Sequence, residues 1–117
     1  MKLTRDELEQ YNTQAGIVWT AATAKIAQAR MAIAKWINID NTDCKLNKMI
    51  WIGHHIADAD RKRKAIDADC RKIAEVLTQV LIDKKKPSED VTTLYSRIIA
   101  AYEELEDNLD TVRNLLK

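Results

Sequence analysis

Residues 49–80 read MIWIGHHIADADRKRKAIDADCRKIAEVLTQV, and the spacing of their apolar members decides the fold. Met49, Ile52, Ile56, Ala59, Arg63, Ile66, Cys70, Ile73, Leu77 and Val80 succeed one another at steps of three and four in strict alternation, with Arg63 the single charged member. An α-helix turns once in 3.6 residues, so this alternation holds them on one stripe. Gly53 does not disturb the phase. A glycine inside a helix costs about 1 kcal/mol relative to alanine, but a real break would shift the register, so the pattern predicts one helix over about 43–84. A break near Gly53 would give a four-helix domain instead.

The flanks carry the same signal. Thr4-Arg5-Asp6-Glu7 has the form of a capping box, in which the Thr hydroxyl and the Glu carboxylate each satisfy an amide that the first helical turn leaves open. After it, Leu8, Tyr11, Ala15, Val18, Ala22, Ile26, Ala29, Ile33 and Trp36 recur at helical spacing, and the alanines between Ala21 and Ala34 let a neighbour approach closely. Asn38-Ile39-Asp40-Asn41-Thr42 supplies turn formers. Lys84, Lys85 and Lys86 suit a helix C-terminus and Pro87 stops it, while Ser88, Glu89 and Asp90 offer caps and a negative first turn. Val91, Leu94, Ile98, Tyr102, Leu105, Leu109, Val112 and Leu116 then form a third stripe. The expectation is an all-α fold: residues 1–117 as a single domain, an antiparallel up-down-up bundle of three long helices at about 4–38, 43–84 and 88–116.

Composition agrees. Two glycines, one proline, no phenylalanine and 32% charged residues describe long helices rather than sheet. The formal charge of +1 gives no global bias toward nucleic acid or anionic membrane. MKLTRDELEQ lacks the apolar core of a signal peptide, and the most apolar stretch, Ala15 to Ile39, carries Lys25, Arg30 and Lys35. No membrane association is expected, and the default location is cytoplasmic. On one continuous helix Cys44 and Cys70 would lie about 39 Å apart, far beyond disulfide reach, so both are expected as free thiols.

Unequal helix lengths carry the functional reading. With tight hairpins, the third helix would end beside Ile56, leaving residues 43–55 with only the first helix beside them, an overhang of roughly 20 Å. A monomer should be polar there. Instead the stretch holds Met49, Ile50, Trp51 and Ile52, which cover every face of a helix, and the first helix answers with Met31, Trp36, Ile37 and Ile39. These eight residues, with His54 and His55 at the rim, are the candidate partner-binding end. The expected partner is a protein, and self-association to a homo-oligomer is the favoured form.

Other chemistry is weaker. Adjacent histidines on a helix point about 100° apart, so His54 and His55 cannot chelate one ion together, and His54 with Asp58 supplies only two ligands. No metal site and no cofactor are expected, although titration near neutral pH could modulate the apolar end. From Arg61 to Lys86 there are nine basic and four acidic residues, and Arg61, Lys64, Arg71 and Lys72 fall on an outer stripe that phosphates could follow. Nucleic-acid contact there is the alternative, less favoured because no aromatics interleave with the basic residues. Glu103-x-x-Glu106 and Glu104-x-x-Asp107 have the spacing of half a magnesium-binding acidic motif, but Asp6 and Glu9 would lie at the far end of the first helix. No nucleophile stands beside a base and no glycine-rich loop could hold phosphate, so the chain is not expected to be an enzyme.

Overall fold

The computed structural model describes residues 3–39 and 44–117, with the side chain of Cys44 also left undescribed. Three helices account for nearly all of them: α1 (Arg5–Ile37), α2 (Cys44–Leu81) and α3 (Val91–Leu115). They pack against one another as a bundle in a rod of 61 × 17 × 17 Å. The 38 residues of α2 run through Gly53 without interruption and span about 57 Å, nearly the whole rod. The four-helix alternative is therefore not adopted.

The capping box forms as its residues dictate. The Glu7 amide donates to Thr4 Oγ1 at 3.2 Å and the Thr4 amide donates to Glu7 Oε1 at 3.2 Å. α1 ends at the C-cap Asn38, while the part of the first turn expected at Asp40, Asn41 and Thr42 lies outside the described residues, as does the expected start of α2 at 43.

Ile52, Ala59, Ile66 and Ile73 of α2 are buried at seven-residue spacing and form its central stripe. Two stripes flank it. His55, Lys62, Asp69 and Val76 face α3: Asp69 accepts from Arg97 Nε at 3.1 Å and Nη2 at 2.5 Å, and Lys62 donates to Asn108 Oδ1 at 2.6 Å. On the other side Cys70 donates its thiol to the Ala15 carbonyl of α1 at 3.3 Å. Burial first, then the charges of Asp67 and Asp69, push the Cys70 thiol up to about 11, so it remains protonated and inert at neutral pH. Small residues line the α1 contact, with Ala15, Ala22 and Ala59 all buried. Lys25 bridges α1 to α3 through Glu106 at 2.5 Å and lies 5.2 Å from the Tyr102 ring centroid.

The second hairpin differs from expectation, and the reason is its loop. α2 stops at Leu81 and α3 begins only at Val91, with Asp90 rather than Ser88 as its N-cap. Asp90 accepts from the Thr92 amide and hydroxyl and from the Thr93 hydroxyl, which fixes the start of α3 there. Between them the chain folds back along α2. The Lys85 amide donates to the Gln79 carbonyl at 2.8 Å, and the Ser88 amide to Gln79 Oε1 at 3.1 Å, so Ser88 lies beside a residue in the last turn of α2. Returning this far before α3 starts slides the whole helix toward the α1–α2 hairpin. Asn108 sits between His55 and Lys62, about one and a half turns further toward that hairpin than tight turns would place it.

Candidate interaction end

The slide shortens the expected overhang without closing it. Seven residues on from Asn108, Leu115 comes level with about residue 51 of α2 instead of stopping short of it. Beyond that point α1 and α2 stand as a two-helix hairpin. Ile52, one of the expected partner-binding residues, is 3% exposed and belongs to the chain's own interior. A run of four apolar residues covers every face, so one of them must point inward.

The others point out. Trp51 is 60% exposed, Ile39 67% and Leu46 66%, and Met31, Ile37, Met49 and Ile50 are exposed beside them. Among the described residues only Ile17 and Ile82 are exposed large hydrophobics elsewhere. Isolated apolar side chains at a surface need no special cause, whereas a cluster at one end does. Each contributes on the order of 100 Å², several hundred together.

Polar groups fasten the rim. Lys45 is 8% exposed although it carries a charge; its ammonium lies 3.3 Å from the Ile37 carbonyl oxygen and 5.0 Å from the Trp36 ring centroid. A cation at the last carbonyls of α1 complements the helix dipole and rests on an aromatic face. Lys45 therefore clasps the two helices where α3 no longer reaches, and holds Trp36 half-buried. His55 turns away from the open end. Because Lys62 can only donate, it takes Asn108 Oδ1, which leaves Asn108 Nδ2 to donate to His55 Nδ1 at 3.1 Å; the ring must then carry its proton on Nε2. His54 stays exposed, its ring 6.2 Å from that of Trp51. The end thus holds Met31, Ile37, Ile39, Met49, Ile50, Trp51 and His54 outward, with Trp36 and His55 engaged by the chain itself.

The four candidate nucleic-acid residues each lie against a carboxylate. Arg61 pairs with Asp58, Lys64 with Asp60 at 3.5 Å, Arg71 with Asp67 at 3.1 Å and Lys72 with Glu89 at 3.9 Å. On α3, Glu104 and Glu106 meet Lys62 and Lys25. Arg63 pairs on its own helix with Asp60 at 3.0 Å. Its position explains this: Arg63 is on the α1 side of α2, away from α3. No cluster of three or more metal-ligating side chains occurs among the described residues, and none of their helices is long and apolar enough to cross a membrane.

No family model, curated protein or solved structure matches this chain.

Three contributors escaped the sequence reading. Leu46 carries no stripe signal because it faces solvent, yet it stands three and four residues before Met49 and Ile50 on the same surface. Lys45 and Asn108 are polar residues in an apolar setting, and only hairpin register could have placed them.

Proposed function

We propose that this chain is a non-enzymatic helical assembly module that binds a protein partner, in the first instance a second copy of itself, through the apolar end formed by residues 31–39 and 49–56. The observation that carries the reading is the clustering of exposed large hydrophobics at the one end where two helices stand without the third. Several hundred Å² of apolar surface, with its polar rim, approaches the roughly 800 Å² that each partner buries in a standard interface. A second hairpin docked antiparallel on the first would complete a four-helix bundle, with Trp51 as the central anchor and His54 at the edge. A cytoplasmic setting suits the unpaired Cys70 thiol.

Light scattering over a dilution series tests it. The expected mass is twice the 13.4 kDa of the chain at high micromolar concentration, falling to 13.4 kDa on dilution. Trp51→Asp places a charge at the centre of the contact and abolishes the larger species while leaving helicity intact, because Trp51 contributes little to its own bundle. Arg61→Glu with Arg71→Glu leaves association unchanged. A strictly monomeric chain at every concentration would remove the basis of the reading.

A further inference from the structure

The opposite end of the rod holds a preformed cavity. Where the loop folds back along α2, it borders a half-open cavity of about 350 Å³ between loop, α2 and the starts of α1 and α3. Its floor is apolar, made by Leu3, Leu8, Val76, Val80 and Val91. Its rim is cationic. Lys84, Lys85 and Lys86 all line it, and none of the three has an ion-pair or hydrogen-bond partner for its ammonium among the described residues. This sets them apart from Lys25, Arg61, Lys62, Arg63, Lys64 and Arg71, each of which meets a carboxylate.

The backbone at this triplet is held in an uncommon conformation. Lys84 has φ 56°, and no other described non-glycine residue has a positive φ. A side chain in that conformation costs of order 1 kcal/mol that glycine would avoid, and the bonds from Lys85 and Ser88 to Gln79 hold the arch in place. Two carboxylates also line the cavity: Glu89 lies 3.9 Å from Lys72, and Asp90 is turned to capping α3 through neutral donors and keeps its charge. What remains open is an apolar floor under three lysines that outnumber the one lining carboxylate not paired with a cation.

We infer that this cavity binds a single-chain amphipathic anion, a free alkyl carboxylate of about ten carbons, with its chain on the valine and leucine floor and its headgroup among Lys84, Lys85 and Lys86. The length follows from volume. At about 30 Å³ per water-sized group the space accepts about a dozen non-hydrogen atoms, the size of decanoate. An anion without an alkyl chain would leave the floor wet, and a neutral chain would leave the lysines unanswered.

The test is titration of the full chain with decanoate below its micellar range, followed by residue-resolved amide shifts. Saturable binding is expected with shifts confined to Leu3, Val80, the 84–90 arch and Val91. Shortening the probe to hexanoate weakens binding by up to about fourfold per methylene removed. Replacing Lys84→Gln, Lys85→Gln and Lys86→Gln together, all at exposed loop positions, weakens decanoate at least tenfold and leaves the weaker binding of decanol unchanged. Shifts that fall on the Trp51 end, an unaltered decanoate affinity in the triple variant, or no saturation at all would each overturn the assignment.

Discussion

The two ends of the rod obey one rule and finish differently. At the α2–α3 end the chain spends residues 82–90 on lysines, proline and a capping aspartate, and among the described residues Ile82 is its lone exposed large hydrophobic. At the α1–α2 end α3 gives out first, and Met31, Ile39, Leu46, Ile50 and Trp51 are left facing outward. Both ends are built from amphipathic helices of similar composition. The difference is cover: a helix can bury its apolar stripe only along the length that its neighbours share with it. Where the three helices overlap, apolar content becomes stability. Past the end of the shortest one, it becomes surface.

The largest expected effect tests this division directly. Ile66 is fully buried at the middle of α2 and Ile50 is exposed near its start. Ile66→Ala should cost about 2–5 kcal/mol in urea unfolding at low concentration, the range for a truncated core isoleucine. Ile50→Ala should change the same quantity by less than about 0.5 kcal/mol and act only on association at high concentration. Equal losses at the two positions would mean that the end is a continuation of the core, and the comparison would fail.

Most of the fold was legible because it rests on local signals. The 3–4 alternation through Met49–Val80 marked one uninterrupted helix, and the Thr4–Glu7 box marked the start of another; both depend on neighbours within one or two turns. The slide of α3 was not legible, because it depends on Gln79 holding the Ser88 amide, a contact that no periodicity records. The candidate end was readable in outline from Met49-Ile50-Trp51-Ile52, but the inward turn of Ile52 and the pairing of His55 with Asn108 both follow from how far α3 reaches. Lys45 came nearest to being found, since the tight first hairpin places it level with Trp36. A charged residue simply does not announce itself as a clasp.

The glycines supply a second, smaller contrast. An added Cβ would meet nothing within 4 Å at Gly16 or at Gly53, and both sit inside helices. Gly16→Ala and Gly53→Ala should therefore each stabilise the isolated chain by about 1 kcal/mol. Their effects on association should part company. Gly53 lies one turn from Trp51's outward neighbours, so a methyl group there alters the dilution midpoint, whereas one at Gly16, three turns and more away along α1, does not. Identical dilution curves for the two variants would argue that the apolar end docks on nothing near Gly53.

The smallest effect concerns acid, and it asks which end loosens first. Hydrogen bonds from the Thr92 side chain, the Thr92 amide and the Thr93 side chain hold the Asp90 carboxyl below the usual carboxylate range. A carboxyl that binds its proton more weakly in the folded chain than in the unfolded one stabilises the fold at neutral pH. That contribution declines as pH falls below the ordinary value near 3.8 and is gone once the folded-state carboxyl is protonated. Acid should therefore fray the start of α3 and the arch before it reaches the α1–α2 hairpin, seen as earlier loss of hydrogen-exchange protection at residues 94–97 than at 52–56. Asp90→Asn separates capping from charge. Asparagine caps about as well as aspartate, so stability at pH 7 should hold while the acid-induced fraying at α3 flattens. If the variant frays in acid as the parent does, the Asp90 charge is not what makes the two ends respond differently.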